Sequence, residues 1–262
     1  MFEQLIANNP NHQQQNFSII SFVNKALQLT GHHTSILNSV NYLNTHHPQF
    51  DIGRAELNAI WTNLEIPIYT KILITFWWGN ISHKDQAPLF YNDNNLSKIL
   101  NFSEKFMIEL TQINNHQIEF ETALKSLYNS LKFKDGCYKM DGINTAFFTK
   151  LLQFGITNPI QPIIADKWSI RAILADMIDQ GYDYNSIFRI GLTNGNISVN
   201  FRGSEKNEFE KYLEMITYFN LRCTTLQINP RELEEIMFGV GNAMHYPSNP
   251  RVIAQNIILQ AL

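Results

Sequence analysis

Cysteine is nearly absent: Cys137 and Cys223 are the only two in 262 residues. Two thiols cannot hold a four-cysteine iron–sulfur cluster, and they are not spaced as a zinc motif. They read as free thiols in a reducing cytosol, so a cytoplasmic protein is expected. Charge is sparse as well. Charged residues make up 16% and the net charge is −3, so the chain as a whole is not a basic nucleic-acid binder. No apolar run reaches membrane length, and the polar stretch from Asn8 to Asn16 is not a signal peptide. No membrane partner is expected. Internal repeats and low-complexity linkers are lacking too.

What is present is apolar bulk. Hydrophobic residues reach 44%, enough for one large or two small domains. Their spacing is mostly helical, so the chain reads as mainly α. Residues 1–30 suggest a tail followed by an amphipathic helix with Phe17, Ile20, Val23, Leu27 and Leu29. Ile52, Leu57, Ile60 and Trp61 suit a second helix starting near Asp51. The run from Tyr69 to Gly79 is apolar throughout and ends in Trp77-Trp78-Gly79. It is either buried core or, at the Trp pair, the wall of a base pocket. Asn80–Asn95 reads as a loop, and helix returns over Leu96–Ile113. His32-His33 and His46-His47 look like metal pairs. Adjacent side chains diverge, however, and no acid has supporting spacing, so they are read as solvated. No metal or cofactor is expected.

Leu124, Leu127, Tyr128 and Leu131 line one face of a helix over 123–131. Met140 to Asn144 then read as a tight hairpin, with Gly142 at a position needing positive φ or a close backbone approach. Thr145 can cap a following helix carrying Ala146, Phe147, Leu151 and Leu152. Backbone N–H groups beside a helix N-terminus favour an anion such as a DNA phosphate; the alternative is an ordinary turn in a helical core. Asp166 follows Ile163-Ile164-Ala165 and precedes Lys167, Trp168, Ser169, Ile170 and Arg171. An acid at that boundary is an N-cap, a poised carboxylate, or both. Residues 132–171 carry Lys132, Lys134, Lys139, Lys150, Lys167 and Arg171 against Asp135, Asp141 and Asp166. Such a local excess steers polyanions even when the total charge is slightly acidic.

After Arg171 the helix is expected to reach about Met177 and to break at Gly181-Tyr182. A clear amphipathic helix covers 203–219, with Phe209, Tyr212, Leu213, Ile216 and Phe219 on one face. Asn229 caps a last helix whose first position is Pro230. Glu234 and Phe238 lie one turn apart on it.

Gly142-Ile143-Asn144, the Phe147-Phe148-Thr149-Lys150 element, Asp166 twenty residues beyond Ala146, and Arg171 five beyond Asp166 resemble the helix-hairpin-helix DNA glycosylase superfamily. The likeness is greatest to its bacterial 8-oxoguanine branch. It covers residues 123–175 best, 229–241 less well, and nothing specific before 120. It implies a helix-hairpin-helix glycosylase fold without an iron–sulfur cluster. A helical region over 1–120 would precede a second part over 121–262 with the hairpin, the carboxylate and the base-pocket helices. It also implies double-stranded DNA with a modified base as partner, near the nucleoid. A base is flipped out and excised, with Asp166 as the catalytic carboxylate. The hairpin residues Gly142, Ile143, Asn144 and Thr145, with Lys139, Lys167 and Arg171, would hold DNA. Glu234, Phe238, Trp168, Trp77 and Trp78 would surround the base.

Several positions depart from the family pattern. Met140-Asp141 replaces Leu-Pro, Asn144 replaces the second Gly, and Trp168 stands where relatives often carry His. Glu234 replaces a Gln that reads the base edge beside a stacking Phe, keeping the acceptor but losing the donor. The alternative there is a core Phe with an exposed Glu. Ala146 stands where bifunctional members carry a Schiff-base lysine. Lys150, one turn on, is a nucleophile, a phosphate ligand or a solvated side chain. An oxidised purine such as 8-oxoguanine is the expected substrate. Two rivals stay open: a phage-defence glycosylase excising a hypermodified cytosine, and a non-catalytic DNA-binding module.

Overall fold

A computed structural model describes residues 1–8, 16–30, 33–79, 93–132, 145–157, 160–193, 196–238 and 249–262. The fold is mainly α. Twelve helices and two small antiparallel strand pairs account for the described residues. The chain forms two compact units: Gln14–Asn158, and Met1–Gln13 together with Pro159–Leu262. The sequence-derived boundary at 120/121 falls inside the first of these. No helix among the described residues is long and apolar enough to cross a membrane.

The continuous unit contains β1 (Phe17–Ser18), α2 (Ile20–Thr30), α3 (Thr34–His46), β2 (Asp51–Ile52), α4 (Arg54–Thr62), α5 (Ile68–Gly79), α6 (Asp93–Asn114), α7 (Phe120–Lys132) and α8 (Thr145–Gly155). Helix α5 packs against α3, α4, α6 and α8. Its sequence is apolar on every side, and a helix of that kind is stable only when surrounded. Thr70 through Trp78 are all buried. Its polar groups are satisfied locally. Trp61 Nε1 donates to Thr75 Oγ1 at 2.9 Å, Thr75 Oγ1 donates to the Lys71 carbonyl at 2.8 Å, and Lys71 Nζ donates to the Trp61 carbonyl at 2.9 Å. This ring ties the end of α4 to the middle of α5. Gly155 closes α8 where a Cβ would sit 3.0 Å from the Trp61 ring.

Several expectations shift here. Helix α4 starts at Arg54 rather than Asp51. Asp51 and Ile52 pair with Ser18 and Phe17 instead, and Glu56 accepts the Gly53 N–H at 2.9 Å. Helix α6 begins at Asp93, inside the expected loop. His33 is not merely solvated: its Nδ1 accepts the Ser35 N–H at the start of α3. His46 is exposed and lies against Tyr42, while His47 is half-buried.

The discontinuous unit contains α1 (Phe2–Asn8), α9 (Lys167–Asp179), β3 (Phe188–Thr193), β4 (Asn196–Phe201), α10 (Glu205–Leu226), α11 (Pro230–Phe238) and α12 (Pro250–Gln260). Helix α9 is its centre and packs against α11, α12 and β4. It ends after Asp179 because Gly181 takes φ +67°. The Tyr182 N–H then reaches the Met177 carbonyl at 2.8 Å and the Gly181 N–H reaches Ile178 at 3.0 Å, a double closure of the last turn. The first residues are not a tail. Met1, Phe2 and Leu5 are buried, and α1 packs on α11.

Fully buried Asp176 holds this junction. Its carboxylate accepts the Phe2 N–H at 2.9 Å, the Tyr218 hydroxyl at 2.8 Å and Arg222 Nε at 2.8 Å, and the Met1 amine lies beside it. Arg222 also binds Glu3 at 2.6 Å, and the Met1 amine contacts Asp179. The three acids Glu3, Asp176 and Asp179 converge closely, and the chain's own cations answer them. A buried carboxylate is tolerable only with partners of this kind. The β3–β4 hairpin pairs Thr193 with Asn196 and buries Phe188 and Ile197.

Candidate functional site

The feature around which the site gathers is the start of α9. Residues 160–166 lead into it along a path pinned to α10. The Gln161 N–H donates to Asn220 Oδ1 at 3.0 Å, Asn220 Nδ2 donates back to the Gln161 carbonyl at 3.0 Å, and the Tyr212 hydroxyl donates to the Ile163 carbonyl at 2.9 Å. Ile163, Ile164 and Ala165 are buried. Chain direction and depth are therefore fixed before Asp166 is reached.

Asp166 is the N-cap. Its backbone is extended, and Oδ1 alone accepts both cap bonds, from the Trp168 N–H at 2.8 Å and the Ser169 N–H at 2.9 Å. Oδ2 has no hydrogen-bond partner among the described residues. The helix dipole favours the negative charge at this point. The result is a half-buried carboxylate with one oxygen locked and the other presented.

Cations crowd Trp168, two residues on. Lys167 Nζ lies 4.6 Å from the Trp168 ring centre, the Arg171 guanidinium 5.2 Å and the Arg251 guanidinium 4.4 Å. Each is attracted by the π face of the indole. Arg171 is tied to β4 through the Ile197 carbonyl. Arg251 also lies 5.1 Å from the Phe238 ring and donates from Nε to the Phe238 carbonyl at 2.9 Å. Asn249 fixes it from behind by capping α12 through the Arg251 N–H at 2.9 Å. Burial lowers the pKa of both Arg171 and Arg251, and the Asp166 charge counters it for Arg251. Both stay cationic, since a guanidinium does not lose its proton near neutrality. One fixed carboxylate, an indole and three cations can meet anionic oxygens and answer positive charge forming beside the acid.

The sequence-derived residues fall into three groups. Asp166, Lys167, Trp168, Arg171 and Phe238 come together as described. Glu234, on the same helix as Phe238, is fully buried while Phe238 is only half-buried, the reverse of the core-Phe and exposed-Glu alternative. Thr145, Lys150, Trp77 and Trp78 belong to the continuous unit. Trp77 and Trp78 are buried in its core, Trp78 edge-on to Phe154. Thr145 is already helical and buried, its hydroxyl 3.2 Å from that of Tyr128. Half-buried Lys150 runs past Gly79, where a Cβ would come within 2.8 Å of its Cδ, and places Nζ 4.8 Å from the Phe147 ring. The third group, Lys139, Gly142, Ile143 and Asn144, lies outside the described residues, as does Cys137. Cys223 is buried, and burial pushes its thiol up to about 12, so it is not a nucleophile near neutrality.

Arg251 was not expected from the sequence. A signal existed, because Asn249-Pro250-Arg251 repeats the Asn229-Pro230-Arg231 pattern that marked the start of α11. No family model, curated protein or solved structure matches the chain.

Proposed function

We propose that the chain is a DNA N-glycosylase of the helix-hairpin-helix type that flips and excises a modified base, an oxidised purine such as 8-oxoguanine. The observation that carries this reading is the Asp166 carboxylate, held by two amide bonds on one oxygen and open on the other, with Lys167, Arg171 and Arg251 gathered on the Trp168 ring two residues on.

Chemistry on a duplex base requires extrusion of the nucleotide, at about a few kcal/mol of lost stacking and pairing. The cations around Trp168 answer backbone phosphates and offset that cost. Phe238 offers a ring to the extruded base. Fully buried Glu234 meets a base edge only if α11 yields. As the glycosidic bond breaks, positive charge develops on the sugar and the fixed carboxylate stabilises it without reorganising. Attack by water leaves an abasic site. Attack by Lys150 instead gives a Schiff base, from which strand cleavage follows.

The test uses duplexes each carrying one altered base, including 8-oxoguanine and glucosylated hydroxymethylcytosine. Wild type, Asp166→Asn and Lys150→Ala are incubated with each, with and without alkali and with borohydride trapping. Base release that Asp166→Asn abolishes supports the proposal and names the substrate. A borohydride adduct missing only in Lys150→Ala makes that lysine the nucleophile. DNA binding without release from any duplex refutes the enzyme and leaves a binding module.

A further inference from the structure

We infer that Arg251 is a positioning residue, joining the Trp168 ring in the first turn of α9 to the aromatic ring at the end of α11. The inference rests on the role proposed for Asp166 and Phe238. One guanidinium makes three contacts that no other side chain combines among the described residues: the Trp168 face at 4.4 Å, the Phe238 face at 5.1 Å and the Phe238 carbonyl at 2.9 Å. The carbonyl is one of the last of α11, where unsatisfied acceptors and the negative end of the dipole favour a cation. The two rings belong to helices that both pack on α12. Arg251 thus spans a three-helix junction at the site rather than decorating one surface.

The residue's own anchorage argues for position over mere charge. It is the second residue of α12, with its N–H capped by Asn249 at 2.9 Å, and Pro250 presets the backbone before it. A flexible lysine ammonium would supply charge here, but not a planar group able to lie on two rings while donating from Nε. The charged groups around the Trp168 ring are Lys167 and Arg171 from its own helix and Arg251 from α12. Helix α11 brings the Phe238 ring and carbonyl, and β4 brings the Ile197 carbonyl that Arg171 binds. Arg251 is therefore the one cation of this set held from outside the helix that Asp166 caps.

The experiment compares Arg251→Lys and Arg251→Met in the full chain, with folding checked by circular dichroism. The Trp168 indole N–H is followed by NMR, its signal identified by its loss in Trp168→Phe. In Arg251→Met that signal should move from its wild-type position, because the guanidinium no longer lies on the ring. Arg251→Lys keeps the charge yet should slow single-turnover base release at least tenfold, because Phe238 is no longer held. An unmoved indole signal in Arg251→Met overturns the inference, as does wild-type release by Arg251→Lys. A moved indole signal with no release from any duplex by wild type instead sinks the glycosylase reading and leaves the coupling of Arg251 to Trp168 standing.

Discussion

Replacing Asp166 by Asn and by Ala separates its two roles, because the structure assigns them to different properties of the side chain. The cap needs an oxygen acceptor near the Trp168 and Ser169 amides. The proposed chemistry needs a negative charge. Asn keeps the acceptor and loses the charge; Ala loses both. Loss of an N-cap acceptor costs about 1 kcal/mol. Loss of the charge at a helix N-terminus costs about 0.5 kcal/mol more. Asp166→Ala should therefore lose about 1.5 kcal/mol and Asp166→Asn about 0.5 kcal/mol. For a chain of this size each kcal/mol lowers Tm by about 2–4 °C, so the expected falls are about 3–6 °C and 1–2 °C. Thermal melts followed by circular dichroism read the first quantity. Single-turnover base release on the duplex that wild type cleaves reads the second, and it should be lost in both variants alike. Equal melting temperatures for the two variants would refute the cap argument. Release by Asp166→Asn within tenfold of wild type would refute the need for charge.

Three further outcomes follow from the packing. Asp176→Ala leaves Arg222 and the Tyr218 hydroxyl without their buried acceptor and should cost about 3–5 kcal/mol in chemical denaturation, whereas Asp179→Ala, at a more exposed carboxylate, should cost well under half of that. Thr75→Val, nearly isosteric, strands the Trp61 indole N–H and should cost about 1–3 kcal/mol by urea denaturation. Burial, opposed by Glu56 and helped by His46, lowers the His47 pKa below its ordinary 6.5. The unfolded chain then takes up a proton first as pH falls, so stability declines as pH drops through that value; His47→Gln should flatten the decline in melts between pH 7.5 and 5.

What could be read from the sequence was what depends on neighbours in the chain. Asp166 as a cap, Asn229-Pro230 at the start of α11, and the all-round apolar α5 follow from rules spanning a few residues, and each is present. The β3–β4 hairpin went unread although Asn194-Gly195 stands between alternating strands, the strongest short hairpin signal. Helix α10 runs to Leu226, past the expected 219, because exposed Leu221 and a polar Thr224-Thr225 blur the apolar face there. Contacts between distant segments left no local mark. The approach of Arg251 to Trp168 and Phe238 is one. The burial of Phe2 against Asp176 is another, since α1 looks like a polar leader until its acceptor from α9 is supplied.

The docking of α1 has a consequence for how the chain is made. Gln14–Asn158 is uninterrupted, and every partner it needs emerges in order from the ribosome. The other unit is split, and Phe2 finds its acceptor on Asp176 only after most of the polypeptide has been synthesised. Closing so long a loop adds little free energy, about 0.6 kcal/mol per doubling of length, but it sets a sequence of events. During vectorial synthesis Met1, Phe2 and Leu5 emerge well before the elements that cover them, so these apolar side chains stay exposed while most of the unit is still being made.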